Sequence, residues 1–209
     1  LSDIELDLVK EIYMWRKRER EKHIRDPKVY YVTDLVRCSI KREYEMLYPE
    51  LSAYEIFYPP FVLGDFLHKG LQSILRNIFG DKVAVEIEGE KKLLLPEGSE
   101  VIIRGRCDGI ITLENGKRIG VEIKSSRTDY NIPMDHHIDQ ARIYNWLFDL
   151  EETLLLYATY DRITQYRVRE KMSEEEILNR IRYISAPRYT WECSYCPFAS
   201  ICPFKKRQQ

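Results

Sequence analysis

The chain has 209 residues, 44% of them hydrophobic, which is enough for one substantial core and short for two independent domains. Lys and Arg number 33 against 34 Asp and Glu, a formal net charge of -1. That balance excludes a protein that coats nucleic acid by overall basic charge, so any such contact must be local. No run approaches about 18 uninterrupted apolar residues, and Leu1 to Lys10 alternates acidic and apolar residues instead of resembling a signal sequence, so a soluble, cytoplasmic protein is expected.

In chain order, apolar residues at helical spacing run from Ile4 to Met14 and Trp15. A basic stretch follows, with Arg16, Lys17, Arg18, Arg20, Lys22, Arg25 and Lys28 against Glu19, Glu21 and Asp26. It is either a local nucleic-acid contact or a solvated helix face laced with i,i+4 ion pairs. A second helix is predicted from Thr33 or Asp34, either of which can cap it, with Cys38 about a turn inside. Pro59 and Pro60 punctuate the chain before a third helix, Phe61 to Phe79, which carries His68 and stops at Gly80.

Short β-branched segments then predict antiparallel strands at Val83 to Ile87, Lys92 to Leu95, Val101 to Leu113 and Arg118 to Lys124. Helical spacing returns over Asp135 to Leu150. Two further strands are predicted at Thr153 to Tyr160 and Gln165 to Val168, and Ser173 with Glu176 forms a capping box opening a last helix. Regular patterning ends after Pro187. The expected fold is α/β, a mixed central sheet flanked by helices. The single domain of 1–209 divides into an N-terminal helical region (1–60), a core (61–186) and a C-terminal cysteine segment (187–209).

The strands Val101 to Leu113 and Arg118 to Lys124 are joined by Glu114-Asn115-Gly116. A three-residue hairpin loop with a left-handed Gly in last place pairs residues whose numbers sum to about 230. Asp108 then faces Glu122, Lys124 joins them on one side, and Cys107, Val121 and Ile123 point to the other, apolar side. Opposed acids destabilise a hairpin unless a cation compensates them. A hard divalent ion such as Mg²⁺ or Mn²⁺ suits oxygen ligands and activates water, and Lys124 can orient that water or stabilise a phosphorane. The alternative is a solvent-exposed hairpin face on which Lys124 pairs with either acid.

Among the five cysteines, Cys193, Cys196 and Cys202 form a dense set of thiol ligands that needs a fourth. Cys38 is the candidate, because Cys107 is expected in the apolar side of the hairpin. An iron-sulfur cluster, a four-thiolate zinc site and two disulfides all remain open on spacing alone.

Gly105-Arg106-Cys107-Asp108-Gly109 followed by Val121-Glu122-Ile123-Lys124-Ser125-Ser126 resembles the Asp and Glu-x-Lys motifs of RecB-type nucleases in the PD-(D/E)XK superfamily. His68 upstream, and Gln140 with Tyr144 four residues apart downstream, match the same order. The resemblance implies that Asp108, Glu122 and Lys124 are catalytic, that His68 joins the two acids as a metal ligand, and that the helix carrying Gln140 and Tyr144 lies beside the active site. A distant N-terminal Cys with a C-terminal Cys-x2-Cys-x5-Cys-Pro is similar to the CRISPR-associated exonuclease family, the fourth Cas family, over about Val32 to Phe204. That resemblance implies an iron-sulfur cluster on Cys38, Cys193, Cys196 and Cys202, usually [4Fe-4S] with [2Fe-2S] also open, closing a loop of more than 150 residues. It further implies metal-dependent 5′ to 3′ cleavage of single-stranded DNA during CRISPR spacer processing, with the CRISPR integrase complex as partner. Two alternatives stay open: a recombination or repair nuclease of the same fold, and a catalytically silent, zinc-holding DNA-binding or scaffold protein.

Overall fold

The computed structural model describes residues 6–21 and 25–206. Ile4, where the first helical pattern begins, and Lys22 of the basic stretch lie outside the described residues. The elements in order are helix α1 (Leu8–Glu21), strand β1 (Val29–Tyr31), helices α2 (Val32–Leu35), α3 (Ser39–Leu47) and α4 (Pro59–Phe79), strands β2 (Val83–Leu94), β3 (Glu100–Thr112) and β4 (Arg118–Ser125), helix α5 (Asp135–Leu147), strands β5 (Glu152–Ala158) and β6 (Ile163–Val168), and helix α6 (Glu174–Arg182). Short 3₁₀ segments at Pro49–Phe57, Gly80–Lys82 and Thr190–Ser194 complete it.

The six strands form one mixed sheet in the order β1-β3-β4-β5-β6, with β2 also paired to β3. The β2–β3, β3–β4 and β5–β6 pairs are antiparallel, whereas β1–β3 and β4–β5 are parallel. The chain between β4 and β5 makes the crossover that a parallel pair requires, and α5 is its body. Helix α4 covers one face of the sheet, where Leu67, Leu71, Leu75 and Phe79 pack on Val83, Ile111, Val121 and Ile123. Helices α2, α5 and α6 cover the other face, around Ile103, Ile143, Leu147, Leu150 and Ile177.

The hairpin of β3 and β4 follows local turn chemistry. Gly116 takes φ +80°, a conformation that costs glycine little, and the ladder pairs Thr112 with Arg118 and Gly109 with Val121. The expected register holds.

Several boundaries differ from the sequence reading. The helix predicted from Thr33 or Asp34 is the single turn Val32–Leu35, opened by Asp34 accepting the N–H of the N-cap Tyr31 (3.0 Å), and Cys38 sits at the start of α3 instead of a turn inside a helix. Helix α4 begins at Pro59, where the absent proline N–H costs nothing in the first turn. The two segments Val83 to Ile87 and Lys92 to Leu95 are one strand, β2, bent at Glu86, whose φ is +53°. The basic stretch is largely spent within the fold. Arg16 pairs with Asp65 (2.7 Å), Arg20 with Glu55 (3.3 Å), and Arg25 with Asp34 (2.9 Å) and Glu45 (2.6 Å).

The bend at Glu86 has a partner in β3. Val83 and Val85 face α4, while Ile87 packs on the α5 side and a Cβ on Gly89 would strike the Phe148 ring. On β3, Ile103 and Cys107 face α5 while Ile111 faces α4. Both strands therefore exchange faces near Glu86 and Asp108. This corrects one expectation: Cys107 is fully buried as predicted, but on the α5 side, opposite to the Val121 and Ile123 side chains although its thiol reaches the Val121 carbonyl (3.5 Å), because the face exchange lies between it and the hairpin turn.

Candidate active site

The site lies where β3 and β4 part. The β3–β4 ladder ends at Gly109 and Val121; upstream, β3 pairs instead with β1 at Ile102 to Arg104, and beyond Val121, β4 continues alongside β5. A sheet that forks leaves backbone donors without ladder partners. Asp108, the first residue past the fork, meets one of them, its Oδ2 accepting the Ile123 N–H at 2.7 Å. Asp108 Oδ1 lies 3.1 Å from His68 Nδ1 on α4. Burial opposes protonation of His68, but the hydrogen bond to Asp108 and the charges of Asp108 and Glu122 raise its pKa overall.

Glu122 is buried, with Oε1 accepting from Lys124 Nζ (2.9 Å) and from Gln140 Nε2 (2.8 Å). Oε2 is equally buried and has no partner. Burial, aided by the nearby Asp108 charge and opposed by Lys124, pushes the Glu122 carboxyl up to about 7. The solvent-exposed hairpin face is thereby excluded. Lys124 Nζ also donates to Gln140 Oε1 (2.8 Å), Gln140 Nε2 donates to the Tyr144 hydroxyl (3.0 Å), and Tyr144 donates to the Arg106 carbonyl (2.9 Å). Gln140 and Tyr144 share one face of α5 at i,i+4, as expected, and that face looks onto the two acids. Gly105 allows this approach, since a Cβ there would lie 2.7 Å from Val32, 2.8 Å from Leu147 and 2.9 Å from Tyr144.

His68, Asp108, Glu122, Lys124, Gln140 and Tyr144 are thus linked into one neighbourhood. Among the described residues no three His, Cys, Asp or Glu side chains stand as a ready metal-binding group. In chemistry the set fits a hard divalent ion nonetheless: one imidazole, two carboxylates, and a buried carboxylate oxygen left without any partner. Sequence reasoning missed Gln72, buried on α4, whose Nε2 donates to the Asp108 carbonyl (3.2 Å) and to Glu86. The signal was present, because Gln72 lies at i+4 from His68.

The C-terminal segment docks on α3. Ser39 N–H donates to the Ser185 carbonyl (3.0 Å), Arg188 Nε to the Arg37 carbonyl (3.2 Å), and Phe198 is fully buried with its ring 5.6 Å from Tyr44. Glu192 fastens the join, one oxygen accepting from Cys38 N–H (2.7 Å) and the other from the N–H groups of Arg188 (2.8 Å) and Tyr189 (2.9 Å). Cys38, Cys193, Cys196 and Cys202 are all partly exposed free thiols. Burial first, and then neighbouring charges that include Cys196 for Cys38 and Cys202 and Cys193 for Cys196, raises the pKa of Cys38 and Cys196. Cys107 stays apart, its thiol donating to the Gly109 carbonyl at 3.1 Å, and burial pushes that thiol far up.

No family model matches the chain. It is 40% identical over 203 residues to the CRISPR-associated exonuclease Cas4 of Saccharolobus solfataricus (strain ATCC 35092 / DSM 1617 / JCM 11322 / P2), covering 95% of this chain and 99% of that protein. Among solved structures, the crystal structure of SSO0001 superposes with a TM-score of 0.91 at 38% identity, covering 96% of this chain and 98% of the other. With sequence likeness running almost end to end and the same fold beneath it, the chain belongs to the CRISPR-associated exonuclease Cas4 family.

Proposed function

We propose that this protein is a metal-dependent exonuclease of the PD-(D/E)XK type that degrades single-stranded DNA, with 5′ to 3′ polarity, to prepare DNA for CRISPR spacer acquisition alongside the integrase complex. The observation that carries the reading is the fork between β3 and β4, where Asp108, Glu122 and Lys124 meet His68 and where Glu122 holds a buried oxygen without a partner. The name of the relative from Saccharolobus solfataricus supports the exonuclease and CRISPR parts. His68, Asp108 and Glu122 would hold the Mg²⁺ or Mn²⁺ ion, which supplies Lewis acidity toward water and the phosphodiester.

Each side chain then has a task. Glu122 is a poor carboxylate in this burial and gains most from a cation beside it. Lys124, held between Glu122 and Gln140, places a positive donor at the edge of the acids, where it can orient water and stabilise charge developing on phosphate. Gln140 and Tyr144 fix Lys124 and Glu122 by a hydrogen-bond chain that ends on the β3 backbone.

Cys38, Cys193, Cys196 and Cys202 are proposed to hold one iron-sulfur cluster. Support comes from Glu192 joining the Cys38 backbone to the C-terminal segment and from the Cys38 and Cys196 thiols, which burial holds above their ordinary pKa and which therefore need a cation to ionise. The nuclease reading is tested by digesting end-labelled single strands with Mn²⁺, Mg²⁺ or chelator. Metal-dependent shortening from the 5′ end is expected, and DNA left intact with both metals would refute the reading.

A further inference from the structure

His136, Gln140 and Tyr144 fall at i, i+4 and i+8 on α5, so they form one stripe along the helix. Gln140 bonds Glu122, Tyr144 bonds Gln140 and the Arg106 carbonyl, and His136 lies about 6 Å before Gln140 along the helix axis. Lys124 lies close enough for its charge to act on the His136 ring, and that charge together with burial, the larger cause, lowers the His136 pKa to about 4. The ring is therefore a neutral aromatic surface at neutral pH.

Two aromatic side chains from the C-terminal segment close on it. Tyr189 and Trp191 stack at 5.9 Å with 15° between their planes, and His136 lies 5.7 Å from Tyr189 and 5.1 Å from Trp191. Tyr189 is held from below by Glu192, and its hydroxyl lies 3.5 Å from Asp139, which Arg180 also grips (2.6 Å). Trp191 is 41% exposed despite this packing. A large aromatic that is backed yet half open, packed on a ring one helical turn from the Gln140 that holds Lys124, is arranged as a platform for a flat ligand.

We propose that Trp191, backed by Tyr189 and His136, is the stacking platform for the base next to the phosphate held at Lys124, so that the C-terminal segment contributes directly to substrate binding. The inference rests on the single-strand nuclease reading. It gives the segment bearing Cys193 a role beyond tying the chain together, because the platform sits on the same 3₁₀ turn. Base stacking is sequence-tolerant, which suits an enzyme that must advance along any strand.

The test is fluorescence anisotropy of a labelled oligothymidylate and of an abasic oligomer of equal length, with full-length protein in chelator, together with cleavage of the oligothymidylate in Mn²⁺. Trp191→Ala is expected to weaken oligothymidylate binding by about tenfold and Trp191→Phe by no more than about twofold. The abasic oligomer is expected to bind wild type and Trp191→Ala alike. Trp191→Leu keeps apolar bulk against Tyr189 without a π face, so it should lose affinity as Ala does even if the alanine variant loosens the segment. Oligothymidylate affinity unchanged in both Ala and Leu variants, or an equal loss on the abasic oligomer, would overturn the platform while wild-type cleavage leaves the nuclease reading intact. A wild type that neither binds nor cuts oligothymidylate would overturn both.

Discussion

Asp108 has two duties that a substitution can separate. One carboxylate oxygen closes the fork by accepting the Ile123 N–H, and the other faces His68. Asp108→Asn keeps a carbonyl oxygen for Ile123 but removes the negative charge, so the fold should persist while metal-dependent cleavage falls on the order of 10²-fold or more. The check is a cleavage time course beside a thermal melt; wild-type turnover in the Asn variant would remove Asp108 from the site. The same residue-by-residue view explains why Lys124 cannot be treated as an isolated cation. Its ammonium bridges Glu122 and Gln140, and without it Glu122 would keep a buried carboxylate with less compensation.

At the scale of elements, the site depends on how closely α5 lies against β3. Gly105 is a point of close approach, and a methyl group there has nowhere to go between Val32, Leu147 and Tyr144. Gly105→Ala should cost roughly 1–3 kcal/mol by overpacking. Tyr144 should also be pushed off its bonds to Gln140 and the Arg106 carbonyl. Urea denaturation and cleavage would therefore be expected to fall together, and a variant of full stability and full activity would show that α5 can yield. Helix α6 shows the opposite case, an element closed by its own sequence. Ser173 Oγ accepts the Glu176 N–H (3.1 Å), Glu176 accepts the Ser173 N–H (2.9 Å), and that bond with Arg142 holds the Glu176 carboxyl below its usual range.

For the whole molecule, two long-range joins set stability. The first is at the start of α5, where the Tyr157 hydroxyl accepts the Met134 N–H (3.0 Å) and lies 2.6 Å from His137 Nδ1. Burial, with the charge of Lys124, drives the His137 pKa far down, so the folded protein holds this ring neutral. The unfolded chain takes up a proton near pH 6.5, so the contribution of His137 to stability is level above that pH and falls as the solution is acidified through it, by up to about 1.4 kcal/mol per pH unit. His137→Asn keeps an acceptor for Tyr157 without a titrating ring and should show a shallower loss of melting temperature between pH 6.5 and 5. An unchanged slope would clear His137 of the effect. The second join is the cysteine segment. Protein purified without oxygen should be brown and contain iron and acid-labile sulfide. Replacing Cys38, Cys193, Cys196 or Cys202 by Ser should bleach it and lower its melting temperature, whereas Cys107→Ser should keep the colour. A colourless protein with one zinc per chain would remove the cluster.

Local chemistry was legible in the sequence. The Glu114-Asn115-Gly116 loop specified the register that brings Asp108 and Glu122 to the same level, i,i+4 spacing put Gln140 and Tyr144 on one face, and Ser173 with Glu176 marked the start of α6. Each of these is decided within a few residues, by turn geometry or by helical periodicity. Only the tertiary structure decided that β1 and β4 share the same side of β3, which makes the fork, and that β2 and β3 exchange faces together at Glu86 and Asp108, which puts the Cys107 side chain on the opposite face from those of Val121 and Ile123. It also decided that Glu122 is buried, that Arg16, Arg20 and Arg25 are consumed in ion pairs, and that Trp191 comes to rest on His136. These depend on pairings between segments far apart in the chain, where burial and desolvation are set by whatever packs opposite, and no periodicity within one segment encodes its distant neighbour.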